Sequence, residues 1–212
     1  SLIGACFWFS IPSGGTRAVR RTSPQRALRL PGIPFLLLVS LGYMTAFYGC
    51  YAFFGEGIRR SLDLGPGGAG LYVLAYGAGF GLAGICIGKI APRLGHRYLA
   101  SVLAAISVTY LSWRFAIDHA AAAFLASFLW GFLNQFGLNA LLVMLNRRAA
   151  DARGAVMGLN TAVTYGAVFA GPFFLGPVYE WGDYAAVSTV AGLAVAAGCL
   201  AVLTKGASLF SD

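Results

Sequence analysis

The sequence has 212 residues, of which 58% are hydrophobic and only 10% are charged, and its formal net charge is +8. Ordinary soluble domains carry about 25% charged residues, so this chain lacks the polar surface that a globule of its size needs in water. The composition therefore indicates a membrane protein. The basic residues lie in short segments between apolar stretches rather than on one solvated face, which argues against binding to nucleic acid.

Six apolar stretches meet the requirement of about 20 mostly apolar residues for a transmembrane helix. In chain order they cover residues 34–54, 69–87, 98–117, 121–145, 155–178 and 184–203. Together they predict a six-helix transmembrane domain over residues 34–203. Residues 1–11 are apolar but too short to span, and they look like the end of a preceding transmembrane helix, so we interpret the chain as a fragment. Residues 12–33 form a basic linker and residues 204–212 a short tail.

Lys and Arg residues are concentrated in every second loop, and this asymmetry predicts the orientation of the chain in the membrane. Twelve of them lie in the linker, in the loops after the second and fourth spans and in the tail, and only three, Arg59, Arg60 and Arg114, lie in the other loops. The positive-inside rule places the richer side in the cytoplasm, so both ends of the chain are predicted to be cytoplasmic. Trp113 and Trp181 fall near the outer ends of spans, where interfacial aromatic residues concentrate.

The loop between the second and third spans carries a motif, "GKIAPRLGHR", over residues 88–97. It resembles the loop motif of the major facilitator superfamily, Gly-x-Leu-Ala-Asp-Arg-x-Gly-Arg-Arg. The matching positions are Gly88, Ile90, Ala91, Arg93, Gly95 and Arg97. Pro92 stands where the family usually has Asp, and His96 replaces an Arg. A simpler explanation for the basic residues is a tight cytoplasmic turn that obeys the positive-inside rule.

Other segments are similar to the same family in the expected order. The linker at 12–33 resembles the one between the two halves of such transporters, "NRRAADARGAVMGLN" resembles the loop between helices ten and eleven, and "GAVFAGPFFLGPVYEWG" resembles helix eleven. The resemblance implies the end of helix six plus helices seven to twelve, the C-terminal half of a twelve-helix fold with two inverted three-helix repeats.

This family implies a secondary active transporter in the cell (inner) membrane that moves a small solute by alternating access, with export or antiport left open. Its partners would be the solute, the lipid bilayer, the N-terminal half of the same protein and, as an open alternative, a coupling proton. The competing hypothesis is a stand-alone six-helix protein that acts as a channel-like oligomer or a non-transporting assembly subunit.

The resemblance assigns the cytoplasmic loop motif and gating to six residues: Gly88, Arg93, Gly95, Arg97, Asp151 and Arg153. Because Pro92 supplies no carboxylate, we hypothesise that Arg93 or Arg97 pairs with Asp151 of the neighbouring loop. The alternative is that these arginines only set the orientation, since exposed ion pairs contribute little stability.

The predicted spans contain no ionisable Asp, Glu, Lys, Arg or His in their interiors. Buried ionisable groups usually mark proton relays and catalytic sites in membranes, so the sequence predicts neither an enzyme nor a cofactor or metal site, and a coupling carboxylate would lie in the missing half. The four cysteines, Cys6, Cys50, Cys86 and Cys199, lie singly in different apolar segments and are interpreted as small core residues.

Neutral polar and aromatic side chains are therefore the candidates for solute contact. Along the first span, Tyr43, Phe47 and Tyr51 recur at four-residue steps and share one stripe. The fourth span carries Asn134, Gln135 and Asn139 near its middle. In the family, the corresponding helices seven and ten line the central cavity, so these six residues are the predicted substrate cavity. Packing against neighbouring helices or lipid, and interhelical hydrogen bonding, are the alternatives.

Small and polar residues on two other spans are the candidates for packing between the two halves of the fold. Gly77, Gly81 and Gly84 on the second span permit close approach of another helix, and Asn160 and Thr164 form a polar pair four residues apart on the fifth. Packing within this half is the alternative for all five.

Overall fold

The computed structural model describes residues 23–65, 67–87, 95–149 and 152–210. These residues form six α-helices and no strand. The helices are α1 (Pro24–Leu28), α2 (Ile33–Ser61), α3 (Gly70–Ile87), α4 (His96–Ala116), α5 (Ala120–Arg148) and α6 (Arg153–Phe210). Helices α2 to α6 are long and apolar enough to cross a membrane. The prediction of an all-α membrane bundle is confirmed.

Local sequence signals set the first helix boundaries. The hydroxyl of Ser23 accepts a hydrogen bond from the backbone N–H of Arg26 at 3.3 Å, and Pro24 occupies the first turn of α1. Helix α2 starts after Gly32, whose φ of 78° is the left-handed conformation that favours glycine. Pro34 then lies in the first turn of α2, where its missing N–H costs nothing. The segment predicted as a linker thus contains a short helix that leads into the first span.

Helix α6 holds both of the last two predicted spans. Its 58 residues would be roughly 87 Å long if straight, against a hydrocarbon core of about 30 Å. The backbone leaves helical geometry at Gly182 and Asp183, which divides α6 into a first arm (153–181) and a second arm (184–210). The second arm continues past the predicted end of the last span at residue 203. The predicted preceding helix at 1–11 lies outside the described residues.

Helices α3 and α5 approach each other most closely at two glycines. A β-carbon on Gly79 would overlap the backbone carbonyl oxygen of Phe128, and one on Gly131 would overlap the carbonyl oxygen of Tyr76. Contacts advance in the same direction along both helices, from Tyr72 against Phe124 to Gly84 against Gln135. The two helices are therefore parallel and pack backbone to backbone.

Helix α6 packs its arms against α2 and α4. The first arm runs parallel to α2, with Ser40 bonded to Asn160 and Phe53 stacked on Tyr179. The second arm runs antiparallel to α4, since the hydroxyl of Ser107 donates to the carbonyl of Gly192 at 2.8 Å and the thiol of Cys199 lies 3.1 Å from the carbonyl of Ala100.

The core at the centre of these contacts corrects one expectation from the sequence. Trp113, predicted to lie in the outer interfacial belt, is completely buried and contacts the rings of Phe54 and Tyr184. Trp181, by contrast, is 87% exposed. Both tryptophans lie near a span end, so that position alone did not distinguish them. Burial depends on whether the side chain lies on the side of the helix that faces the core.

Candidate functional site

One hydrogen-bond network joins three helices at the middle of the bundle. The hydroxyl of Tyr43 on α2 donates to the side-chain oxygen of Asn134 on α5. The side-chain amide of Asn134 donates in turn to the hydroxyl of Tyr76 on α3 at 2.8 Å. Tyr43 and Asn134 are both buried. The amide of Asn134 is thus satisfied as acceptor and as donor, which fixes its orientation.

Aromatic rings surround this network and centre on Trp130. The Trp130 ring lies 5.0 Å from Tyr76, 5.7 Å from Phe47 and 6.1 Å from Tyr51. We call these rings and their neighbours the aromatic cluster. Its members come from α2, α3, α4, α5 and the second arm of α6: Phe47, Tyr51, Phe54, Tyr76, Tyr110, Trp113, Trp130 and Tyr184.

The aromatic cluster is buried on one side and open on the other. Phe54, Tyr110, Trp113, Trp130 and Tyr184 are buried, Phe47 and Tyr76 are half-buried, and Tyr51 is 39% exposed. The open edge therefore consists of Phe47 and Tyr51 on α2 and Tyr76 on α3. These three residues are the ones that a molecule beside the bundle would meet first.

Four of the six predicted cavity residues come together here: Tyr43, Phe47, Tyr51 and Asn134. The other two lie further along α5. The side-chain amide of Asn139 donates to the backbone carbonyl of Gln135 in its own helix at 3.1 Å. The side-chain nitrogen of Gln135 lies 3.5 Å from the β-carbon position of Gly84 on α3. Both side chains are half-buried.

Sequence reasoning missed Tyr76 and Trp130, the two residues that connect the network to the rings. Trp130 lies four residues before Asn134 on α5, so the two side chains share a face. Tyr76 stands between Tyr72 and Phe80 at the same four-residue spacing on α3. That aromatic spacing was the available signal, and it could not show which helix α3 would pack against.

The glycines and polar residues that we expected to pack between the two halves of the fold differ in their surroundings. Gly77 and Gly81 are exposed, with open space where a β-carbon would be, whereas Gly84 faces α5. Asn160 accepts a hydrogen bond from the hydroxyl of Ser40 at 2.9 Å, and the hydroxyl of Thr164 donates to the backbone carbonyl of Asn160. The side-chain contact of Asn160 is therefore made within this bundle.

The loop-motif residues fall partly outside the described ranges. Gly88, Arg93 and Asp151 lie outside them, and so does any pairing between Arg93 and Asp151. Gly95 is the extended residue that precedes α4, and its carbonyl accepts the first bond of that helix from Leu99 at 3.1 Å. Arg97 and Arg153 are exposed in the first turns of α4 and α6.

The chemistry available at the network and the aromatic cluster is that of neutral groups. The indole N–H of Trp113 and the hydroxyl of Tyr184 are buried without a hydrogen-bond partner among the described residues, and both lie on the closed side of the cluster. Within the same described ranges, no three His, Cys, Asp or Glu side chains converge as metal ligands. The arrangement offers hydrogen bonds and ring faces to a molecule beside the bundle.

Charged groups lie at the ends of the bundle. Glu56 near the end of α2 pairs with Arg59 at 2.8 Å and Arg60 at 2.6 Å. The guanidinium of Arg60 also lies 5.7 Å from the ring centre of Tyr179. All three charged side chains are substantially exposed, so these pairs contribute little stability.

Comparison with known proteins identifies the family. The chain matches no family model. It is 32% identical over 165 residues, 77% of its length, to the uncharacterized MFS-type transporter YwfA of Bacillus subtilis (strain 168). The matched region covers 40% of that relative's length. Together with the apolar helical bundle, this similarity shows a multi-pass membrane protein, and the chain belongs to the major facilitator superfamily.

Proposed function

We propose that the chain is the C-terminal half of a secondary active transporter, helices seven to twelve, which moves a small solute by alternating access. Helices α2 and α5 correspond in this proposal to helices seven and ten. The coverage of only 40% of the relative supports a second set of helices in the complete transporter. Residues 1–11 would be the end of helix six.

A single observation carries the assignment of the solute site. The Tyr43–Asn134–Tyr76 network lies beside an aromatic cluster whose edge, at Phe47, Tyr51 and Tyr76, is open to the outside of the bundle. Ligand sites combine mostly apolar and aromatic walls with a few placed polar groups. The open edge would face the N-terminal half across the cavity, and Gln135 and Asn139 would extend the same wall along α5.

The neutral chemistry of the site favours an uncharged or amphipathic solute. The carboxylates within the described residues lie at helix ends or in loops: Glu56, Asp63, Asp118, Glu180 and Asp183. A coupling proton would therefore bind elsewhere, in the N-terminal half. Export or antiport of the solute through the same site is left open.

Gly77 and Gly81 support a helix-packing surface between the halves, because they are exposed and open. A helix of the N-terminal half would approach α3 there, near Gly84. A separate contact between the halves would involve Asn160 and Thr164 on the first arm of α6. On the cytoplasmic side, Gly88, Arg93, Gly95, Arg97, Asp151 and Arg153 would form the gating loops. The excess of basic residues in alternate loops supports an orientation with both ends of the chain in the cytoplasm, and the proposed location of the bundle is the cell membrane.

Counterflow in proteoliposomes tests the solute site. The full-length transporter is reconstituted with a mixture of uncharged and amphipathic metabolites, and mass spectrometry follows their exchange. Tyr51→Ala and Asn134→Ala should each reduce exchange several-fold. The matched control is Phe115→Ala, which removes an exposed aromatic ring from α4 and should leave exchange unchanged. Equal exchange by all three variants and the wild type would contradict the proposed site.

A further inference from the structure

An apolar groove runs along the outside of the bundle between α2 and the second arm of α6. Its volume is about 330 Å³. The residues that shape it are Phe35, Leu38, Gly42, Ala194, Gly198 and Ala201. From Ala194 to Ala201 the groove follows two helical turns, roughly 10 Å. A groove lined by apolar and small side chains can hold part of a hydrocarbon chain, to which it offers only van der Waals contact.

A basic side chain stands at one end of the groove. Ala194, Gly198, Ala201 and Lys205 recur at three- and four-residue steps on the second arm, so Lys205 continues the stripe that lines the groove by one further turn. Lys205 is exposed, and among the described residues it makes no salt bridge. Its ammonium group is therefore available to an anion at the mouth of the groove.

The segment before α2 adds two more cations at the same end. Arg26 and Arg29 are exposed and precede Phe35, the first residue of α2 that lines the groove. Helix α1, which carries Arg26, packs against α6. This is also the side of the bundle to which the excess of Lys and Arg assigns the cytoplasm, where negatively charged lipid headgroups attract basic residues.

From this combination of shape and charge, we propose that the groove binds one acyl chain of an anionic phospholipid, whose phosphate is held by Lys205 with help from Arg29. A free anion would gain nothing from the groove, and a zwitterionic lipid would gain less from Lys205, because its own headgroup cation offsets the charge of its phosphate. A second protein helix would leave Lys205 without an anionic partner, and it is an alternative occupant that the experiment below distinguishes. The groove does not include the rings of the aromatic cluster, although Tyr43 of the central network contributes to its inner wall. The proposal does not depend on which solute the protein carries.

Two substitutions test the two parts of the site. Gly198 has open space where a β-carbon would be, so Gly198→Leu should fill the groove without moving the backbone. Lys205→Gln removes the charge and keeps a side chain of similar length. The matched controls are Gly166→Leu, at an exposed glycine of the first arm that is equally open, and Arg114→Gln, at an exposed cation on the opposite side.

The measurement is native mass spectrometry of the purified protein in detergent, titrated with dioleoyl-phosphatidylglycerol or dioleoyl-phosphatidylcholine. These lipids share their chains and differ in headgroup charge. The wild type should retain one phosphatidylglycerol in preference to phosphatidylcholine. Lys205→Gln should lower that preference about fivefold, because one lysine near an anionic surface contributes that much. Gly198→Leu should lose both lipids, and both controls should behave as the wild type.

Several results would overturn the proposal. The first is that the wild type retains the two lipids equally. The second is that Gly198→Leu retains them as the wild type does. The third is that Arg114→Gln loses the preference for phosphatidylglycerol as much as Lys205→Gln does. A change in oligomeric mass on Gly198→Leu would assign the groove to a second copy of the chain instead. Thermal melting of each variant shows whether it folds. If Gly198→Leu does not, Ala201→Leu fills the same groove from the next turn.

Discussion

Asn134 is the residue on which the centre of the bundle depends most directly. It accepts from Tyr43 and donates to Tyr76, so one side chain joins α2, α3 and α5. In an apolar environment an amide left without partners is costly, although measured hydrogen bonds between transmembrane helices average only about 0.6 kcal/mol. Two such bonds on one buried amide give Asn134 a structural role, in addition to the solute contact proposed for it.

Asn134→Ala should therefore lower the free energy of unfolding by about 1–2 kcal/mol, because both bonds are lost and the two tyrosine hydroxyls lose a partner. Thermal melting followed by tryptophan fluorescence measures the change. Asn139→Ala is the control, since its amide bonds only to its own helix backbone, and it should shift the melting temperature little. Equal shifts in the two variants would contradict a special role for Asn134.

Spacing along single helices predicted part of this site. The stripe of Tyr43, Phe47 and Tyr51 and the amide of Asn134 were found from the sequence, and the structure brings them together. Tyr76 and Trp130 were missed because their partners lie on helices distant in sequence, and no single-helix pattern specifies that pairing. Trp113 was placed wrongly for the same reason.

The crossing of α3 and α5 determines where the network forms. Gly79 and Gly131 allow the two backbones to touch, and this contact brings Tyr76 within reach of Asn134. The sequence showed that α3 is rich in glycine, but it directed attention to Gly77 and Gly81. Which glycines face a partner depends on how α3 is rotated about its axis, which an almost uniformly apolar helix does not reveal.

Gly79→Ala should destabilise the bundle by about 2 kcal/mol, because the new methyl group would overlap the backbone carbonyl oxygen of Phe128 and the two helices would have to move apart. Gly77→Ala is the control on the same helix. Its β-carbon enters open space, and alanine is the better helix former, so the melting temperature of the bundle should stay the same or rise. Similar losses in both variants would show that the crossing is placed wrongly.

The break in α6 is a second feature of the individual helices. Asp183 has φ 55° and ψ −165°, a combination found almost only in glycine, and such conformations cost of order 1–3 kcal/mol. The sequence predicted an interruption between residues 178 and 184 from the end of apolar character. It did not show that an aspartate would occupy the strained position beside Gly182.

Asp183→Gly should raise stability by about 1 kcal/mol, because glycine adopts this conformation without strain. Asp183→Ala is the control, since it removes the carboxylate but keeps the β-carbon that causes the strain. Differential scanning fluorimetry compares the two melting temperatures. A rise in both variants would assign the effect to the carboxylate, and a rise in neither would contradict the strain.

At the scale of the whole molecule, composition and segment length predicted the all-α membrane bundle well, because the bilayer requires long apolar helices. The family followed from the order of several weak motifs and from similarity to a transporter. The pairing of helices in two inverted repeats stays a prediction. So does the pairing of Arg97 or Arg93 with Asp151, since it depends on residues outside the described ranges.

The central claim is that the open edge of the aromatic cluster lines a water-filled cavity, and labelling of Tyr51→Cys tests it most directly. The variant is made in the full-length transporter after replacement of Cys6, Cys50, Cys86 and Cys199, and intact membranes are treated with a membrane-impermeant thiol reagent. The control is Val108→Cys, at a residue that is 65% exposed on α4 and is expected to face lipid.

We predict that Tyr51→Cys reacts and that Val108→Cys does not, because the reagent reaches thiols through water and does not reach those in the hydrocarbon core. The reaction of Tyr51→Cys should also slow when a transported solute occupies the cavity. If Tyr51→Cys stays unlabelled from both sides of the membrane, or reacts no faster than Val108→Cys, the edge faces lipid or protein and the assignment of the solute site is wrong.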